Sequence, residues 1–596
     1  MKRLTLSLLA LTACTSLFAE IVKLDGLYYS LGATTAQLVK DQSADQSVYK
    51  EYTTVTIPAS VTYNAYPYPV TSLGTSAFEG CSNLQSVELP SSITSIGTDA
   101  FYGCVKLANV NLPEGLTTIN LRAFYNCNLS SVTIPSTITS IGNAAFKGNP
   151  LTSVTWLPAT CSIGSDDSAP FYSTDSKITS FTFGDKVETV PAYLCKNMSK
   201  IETIVLPPSV KSLGQAAFMN CTSLKSINLP VTQKTLPQSF FEGCTSLETI
   251  ELPATLTTIS TDAFYGCTKL ANVNLHEGLT AINQRAFYNC KLSSVTIPST
   301  ITSIGNAAFK GNPLTSVTWL PATCSIGTDD SAPFYSTESK ITSFTFGDKV
   351  ETVPAYLCKN MSKIETIVLP PSVKSLGQAA FMYCTSLKSF EFPKGVTTLS
   401  TSVLEGCSAL ETVMIPASVT TINQDALYNC SALQAIYNYS IAPQTITERA
   451  VNNVNKSTCI LYVPMDYIDL YRAKAVWCDF LNIIGVATDL QFEEQIVQLT
   501  YLKKDEEPLF METQKWQVPH APHIEGFTFL RWDVQAGSLA DGIVLQAVYE
   551  AKSPTSAPEV YTNPANNAQK LVREGNVYIL RDDKLYSIQG QQIHTK

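Results

Sequence analysis

The chain has 596 residues, of which only 15% are charged, and its formal net charge is −9. No Lys/Arg cluster stands out, which makes nucleic acid and anionic lipid poor candidates as partners. After the first residues no apolar run approaches the ~18 residues of a membrane helix, so the only route to a membrane is covalent lipidation.

Met1 to Ala19 begins with Met1-Lys2-Arg3 and continues through the apolar Leu4 to Ala13, the pattern of an export signal too short to span a bilayer. Cleavage after Ala19 leaves Glu20 as the first mature residue. The alternative is a lipobox, Leu11-Thr12-Ala13-Cys14, which leaves a lipidated Cys14. Residues 20–53 read as an N-terminal cap. Ile21 to Leu24 and Leu27 to Leu31 form a hairpin around Asp25-Gly26, with Tyr28, Tyr29 and the run from Tyr63 to Tyr68 available to cover the end of a stack.

From Thr54 to about residue 486 one unit recurs. Its clearest copy, Leu84 to Cys104, holds a strand with Val87 and Leu89 inward, Pro90 to end its pairing, a second short run at Ile93 and Ile96-Gly97, and then Ala100-Phe101 and Cys104. The ring position recurs at Phe78, Phe101, Phe124, Phe146, Phe171, Leu194, Phe218, Phe241, Phe264, Phe287, Phe309, Phe334, Leu357, Phe381, Leu404 and Leu427. A spacing near 22 to 24 residues is that of a solenoid, whose coils stack and touch only their neighbours. The outward residues of the strand column, such as Thr133, Thr155, Thr182 and Val205, are mostly small and uncharged.

A longer repeat lies over the short one. Residues 98–226 recur at 261–389 with eight differences, among them Asp175/Glu338 and Asn220/Tyr383. Surface and core match alike, which marks a recent duplication. Equivalent patches would lie about 33 Å apart on the strand spacing, so two weak sites can act together on a repetitive ligand.

The rhythm breaks at Trp156 to Phe171 and again at Trp319 to Phe334, where Asp166-Asp167 and Asp329-Asp330 sit in stretches without a strand pattern. Either a loop projects there or a coil has decayed to an exposed turn. Trp156 and Trp319 are the expected contact residues, beside Thr and Ser, with core filling as the plain alternative. Asp167 and Asp330 are tentative ligand-binding residues, as a calcium pair or as a solvated turn. Tyr437 and Trp532 are weaker candidates of the same kind.

After Ala435-Ile436-Tyr437 the ladder ends. Cys459 to Pro464 reads as one more strand, and Met465 to Asp479 as a helix with Tyr467, Leu470, Tyr471 and Ala475 on one face. A small β-rich domain follows at 487–552, with strands at Ile496 to Tyr501, Trp516 to Pro519, Gly526 to Trp532 and Ile543 to Tyr549. Then come a Pro/Ser/Thr/Asn-rich linker at 553–569 and a C-terminal tail at 570–596.

Ten of the seventeen cysteines stand three residues after the ring position: Cys81, Cys104, Cys127, Cys221, Cys244, Cys267, Cys290, Cys384, Cys407 and Cys430. One shared inward column makes them small apolar fillers rather than a disulfide framework, with Cys459 and Cys478 as the pair most able to bond. His276, His520, His523 and His594 are too scattered for a metal or catalytic set, and no nucleophile motif or phosphate loop is present. The expectation is therefore a protein with no catalytic residues, no metal and no cofactor.

The pattern Leu-x-Ser-Val-x-Leu-Pro followed by Ile-Gly-x-x-Ala-Phe-x-x-Cys, as in Leu84 to Cys104, resembles the BspA-type leucine-rich repeat of bacterial surface proteins, and the tail from Val577 to Ile593 is similar to C-terminal segments of exported Bacteroidales proteins. Gly526 to Trp532 looks like the β-grasp-like repeats that follow leucine-rich repeats in proteins such as the internalins. The resemblance implies a leucine-rich-repeat solenoid with a parallel β-sheet and short convex turns, plus a β-grasp-like domain. It also implies a secreted or cell-surface location and adhesion to a host matrix protein, a mucin, or a bacterial surface glycan or protein.

Overall fold

The computed structural model describes residues 20–43 and 48–486 and, beyond them, the backbone of a set of strands. The segment 1–19 with Cys14, the linker residues 553–567, and His520, His523 and His594 lie outside the described residues. Two compact units result. One holds residues up to 440 with 444–460 and 479–481, and the other holds 441–443, 461–478 and 482 onward.

The first unit opens with the expected hairpin. Glu20–Leu24 pairs antiparallel with Leu27–Leu31 around Asp25 and Gly26, both with positive φ. A third strand, Ala36–Val39, joins the hairpin to Tyr66–Leu73 and so to the coils. The cap is plugged by Tyr29 and Tyr49, both 1% exposed, and the Tyr49 ring lies 5.2 Å from that of Phe78. The run from Tyr63 to Tyr68 does not cover the stack end. It belongs to a hairpin, Ser60–Tyr63 with Tyr66–Leu73, that turns Tyr66 into solvent.

Neighbouring coils are tied by three parallel ladders, the strand pairing of the first two being interrupted at intervals along the stack. In the first, the long apolar strand pairs Val55 with Val87 and Val87 with Val110, and further on Val132 with Val154 and Val154 with Phe181. The second apolar run forms a ladder of its own, Leu73, Ile96, Ile119, Ile141 and Ile163 in register. The third runs through the convex turns, where the Phe78 N–H donates to the Ala100 carbonyl at 2.7 Å and the Phe101 N–H to that of Ala123 at 2.8 Å. The rings stack along it: Phe78 on Phe101 at 5.4 Å and Phe101 on Phe124 at 5.1 Å, with planes 7° and 11° apart.

Two local rules make the turn. Two residues before the ring the backbone takes positive φ, at Asp99, Arg122 and Ala144 among others, a conformation that costs L-residues about 1–2 kcal/mol and persists because the stacked turn satisfies its hydrogen bonds. Gly97 answers a different need. Its φ is not positive, but a Cβ there would come within 2.5 Å of the Gly74 backbone, so coil stacking rather than a corner requires glycine.

The register differs from the sequence expectation in two coils. The N–H of Cys195 donates to Ala217 and that of Cys358 to Ala380, the bonds made elsewhere by the ring residue, so Cys195 and Cys358 fill the ring column instead of Leu194 and Leu357. Met198 and Met361 then stand in the cysteine column.

The second ladder stops where the rhythm breaks, at Ser162–Ile163 and again at Ser325–Ile326, whereas the first runs across the break. Ser131–Ile134, Ser153–Trp156 and Ser180–Phe183 form a three-stranded set, as do their counterparts Ser294–Ile297, Ser316–Trp319 and Ser343–Phe346, with the short turns Asp166–Ser168 and Asp329–Ser331 lying between the second and third strands.

In the second unit the helix is shorter than expected, Ile468–Ala473, flanked by single 3-10 turns. Tyr471 is buried, 6.0 Å from the Trp477 ring, while Leu470 is 52% exposed, because a residue one step from Tyr471 points well off its face. Further on, Phe492–Ile496 pairs with Lys515–Pro519 and Phe527–Ser538 with Gly542–Ala551. Ala568–Arg573, Asn576–Arg581, Lys584–Ser587 and Gln592–Ile593 follow as a meander, all antiparallel.

Candidate functional site

Trp156 and Trp319 close the inner face of their strands. Each follows Val154 or Val317 by two positions, so strand alternation sends both side chains inward, and both indoles are 0% exposed. Trp156 meets the edge of Phe171 at 6.4 Å and Trp319 that of Phe334 at 6.5 Å. The expectation of a ligand contact is thereby corrected in favour of core filling. The coil here is longer, with 27 residues from Thr152 to Thr179 against 22 from Ser130 to Thr152, and the larger ring fills the wider interior.

Asp167 and Asp330 are exposed but engaged. The Lys196 ammonium bonds Asp167 at 2.9 Å and also Asp166, and it lies 5.3 Å from the Tyr172 ring centre and 5.9 Å from that of Tyr193. Lys359 repeats this with Asp330 at 3.0 Å, Asp329, Tyr335 and Tyr356. The bond from Lys196, then one from Tyr172, holds the Asp167 carboxyl below its ordinary value. Burial opposes the Lys196 charge, yet the two carboxylates outweigh it and hold its pKa above the ordinary value. The carboxylate pair, open in the sequence to a calcium ion or to a solvated turn, is held by the chain's own cation, and among the described residues no group of three or more His, Cys, Asp or Glu is arranged for a metal.

The cysteine column carries hydrogen bonds that composition alone did not show. Cys104 donates its thiol to the Phe78 carbonyl at 3.1 Å, Cys127 to Phe101 at 3.1 Å and Cys430 to Leu404 at 3.3 Å. Asn149 fits the same slot by donating to Phe124 and Phe146 and accepting from Leu129. Burial pushes Cys127 and Cys221 up to about 12. No disulfide joins the described cysteines, and Cys459 is free and buried.

What the strands present outward is a grid of hydroxyls. Ser131, Ser153 and Ser180 stand in register, as do Thr133, Thr155 and Thr182, with Ser130, Thr152 and Thr179 just before them. Thr152 donates its hydroxyl to the Ser130 carbonyl at 3.1 Å and Thr179 to that of Thr152 at 3.3 Å. The protons of Thr152 and Thr179 are spent on the backbone, so these two threonines offer methyl groups and oxygen lone pairs to whatever lies outside. The second copy repeats the grid through Ser294, Ser316 and Ser343 and through Thr296, Thr318 and Thr345. Val205 and Val368, 74% and 79% exposed, border the two grids, and Lys225 with Glu202 and Lys388 with Glu365 form ion pairs nearby. Tyr437 is half-buried in Ala435–Asn438, its ring 6.4 Å from Tyr439. Trp532 lies in the strand Phe527–Ser538, and its side chain is outside the described residues.

No curated protein matches the chain. Among solved structures it is similar to a leucine-rich repeat protein from Bacteroides ovatus, at 24% identity over 74% of this chain and 99% of that one, with a TM-score of 0.44. A leucine-rich cell surface protein from Faecalibacterium prausnitzii is 23% identical over 74% of this chain and 94% of that one, with a TM-score of 0.27. A leucine-rich repeat protein from Bacteroides capillosus is 35% identical over 23% of this chain and 97% of that one, with a TM-score of 0.21. The BspA type leucine rich repeat region matches residues 71–202, 188–316 and 329–458 in six copies. Those residues are the coils whose three ladders and ring column are described above, and the chain belongs to the BspA-type leucine-rich repeat family.

Proposed function

We propose that the protein is exported and works at or beyond the cell surface as a non-catalytic adhesin, binding a host matrix protein, a mucin, or a glycan or protein of another bacterium. The observation that carries this reading is the hydroxyl grid, built in register on one sheet and repeated on a second. A row whose hydroxyl protons are tied to its own backbone accepts hydrogen bonds from a ligand that brings donors, and the absence of charge within the grid suits a neutral, donor-rich surface. Each such contact is weak, and area and repetition supply the affinity.

The test is binding of the chain from Glu20 onward to immobilised matrix proteins, mucins and bacterial glycans. A saturable hit, weakened when Thr155 and Thr318 are both replaced by Lys, supports the reading. If nothing binds at physiological salt, the solenoid is a spacer.

A further inference from the structure

The hairpin of Ser60–Tyr63 and Tyr66–Leu73 buries little of what its sequence offers. Tyr63 faces Tyr66 across the pair and Val61 faces Tyr68, so the three tyrosine rings share one face. Val61 is buried, Tyr63 and Tyr68 are half-buried, and Tyr66 is 69% exposed. The turn between the strands, Asn64 and Ala65, takes positive φ at both residues, and no charged residue occurs from 52 to 78. The outer edge admits no further strand. The Val70 N–H donates to the Ala59 carbonyl, so alternation turns positions 67 and 69 away from Ser60–Tyr63, and both are proline, which has no N–H to give. Whatever docks on the tip therefore meets side chains rather than a ladder.

The sheet register says what lies opposite that tip. Glu20, Leu31, Ala36 and Val70 form one row across four strands, and Glu20–Leu24 runs in the same direction as Tyr66–Leu73. The chain preceding Glu20 thus leaves the fold on the side where the hairpin projects, and the Tyr63 hydroxyl donates to the Glu20 carboxylate at 2.7 Å. Tyr66 stands four residues, about 13 Å, beyond the row. Cys14 is six residues before Glu20, a stretch that spans about 20 Å at most. We propose that the tyrosine hairpin seats on the neutral headgroup layer of the bilayer that holds a lipidated Cys14, a membrane contact separate from the grids of the adhesin reading. The tether is too short to carry the bilayer far past the tip. Tyrosine suits that layer, with an apolar ring for the acyl boundary and a hydroxyl for the headgroups. Attachment by acyl chains is firmer with a second contact, and an uncharged one suits a chain whose net charge of −9 disfavours anionic lipid.

The full chain with its signal is produced in a bacterial host, extracted from the membrane fraction with detergent and reconstituted into vesicles of phosphatidylethanolamine and phosphatidylcholine. Three forms are compared: the parent, Tyr66→Trp, and a variant with Tyr63, Tyr66 and Tyr68 all replaced by Ser. Lipid brominated near the headgroup should quench the emission added by the tryptophan at 66 about two-fold or more. Raising salt from about 0.1 to about 0.5 M should leave that quenching unchanged, because the tip is uncharged. Amides of residues 60–69 should exchange with deuterium about five-fold more slowly in vesicles than in detergent for the parent, and equally fast in both for the triple variant. If the triple variant does not fold, Tyr66→Trp decides the matter. Emission that brominated lipid leaves unchanged overturns the proposal, and so does a parent chain recovered without a lipid on Cys14. A triple variant that loses a matrix protein or mucin, while its exchange in vesicles matches the parent, makes the hairpin a protein contact and also overturns it. Quenching that persists in a chain binding no matrix protein, mucin or glycan removes the adhesin reading alone.

Discussion

A thiol in the Cys104 column sits in a slot that water does not reach and gives its proton to a backbone carbonyl one coil back. Its ordinary value is 9.0, and burial raises Cys81, Cys127 and Cys221 to about 12 and Cys195 and Cys244 well above normal. A raised acid pKa in the fold means that the unfolded chain loses its protons first as pH rises. The stabilisation is whole below pH 9 and is lost between about 9 and 12. Each thiol then contributes about 1.4 kcal/mol per pH unit, so under reducing conditions melting temperature should fall steadily from pH 9 to pH 10, and a flat profile would contradict the buried column. At the acid end the Lys196 clamp behaves oppositely. Asp167 is depressed in the fold, so its contribution is present above the ordinary carboxylate range and is lost as pH falls below it. Lys196→Met should lower the melting temperature by less than about 2 °C at pH 7, because the carboxylates are exposed, and the gap from the parent chain should narrow as pH falls below the ordinary carboxylate value of 3.8.

At the scale of a strand, Ser153–Trp156 shows what alternation can and cannot tell. Val154 and Trp156 are two apart, so the pattern already placed the indole inward. What drew attention outward was its size, and size is explained only by the longer coil that makes room for it. The ring column was legible except at Cys195 and Cys358, where neighbouring Leu194 and Leu357 are equally apolar and only the turn hydrogen bonds decide the register. Lys196 was not legible as the partner of Asp166 and Asp167, because it reaches them across the boundary between coils, 29 and 30 residues away in the chain. Removing a fully buried indole leaves a cavity that rigid strands cannot close. Trp156→Ala should cost about 3–5 kcal/mol, read from chemical denaturation, while Thr155→Val, on the outward face of the same strand, should change stability little. Equal losses would place the indole and the hydroxyl in similar environments and contradict the inward assignment.

At the scale of the molecule, the duplication makes a strong demand on the stacking rule. Phe78 hands its N–H to Ala100, and Phe241 hands its own to Ala263, in equivalent turns. The rings continue the same way, Phe78 to Phe101 at 5.4 Å and Phe241 to Phe264 at 5.5 Å. Deleting residues 98–260 therefore joins Gly97 to Thr261 and sets Phe264 on Phe78 without a change of register. If each coil depends only on its neighbours, the shortened chain should fold with the same circular dichroism per residue and melt within a few degrees of the parent. Its affinity for a small, monovalent ligand should be unchanged, because one grid remains. Its apparent affinity for a polymer coated on a surface should drop by about 10²–10⁴, the range in which two linked sites exceed one. A shortened chain that aggregates would show that the coils cooperate over more than neighbours. Loss of the monovalent ligand would show that a single site spans the two copies, and the two-site account of the duplication would then fail.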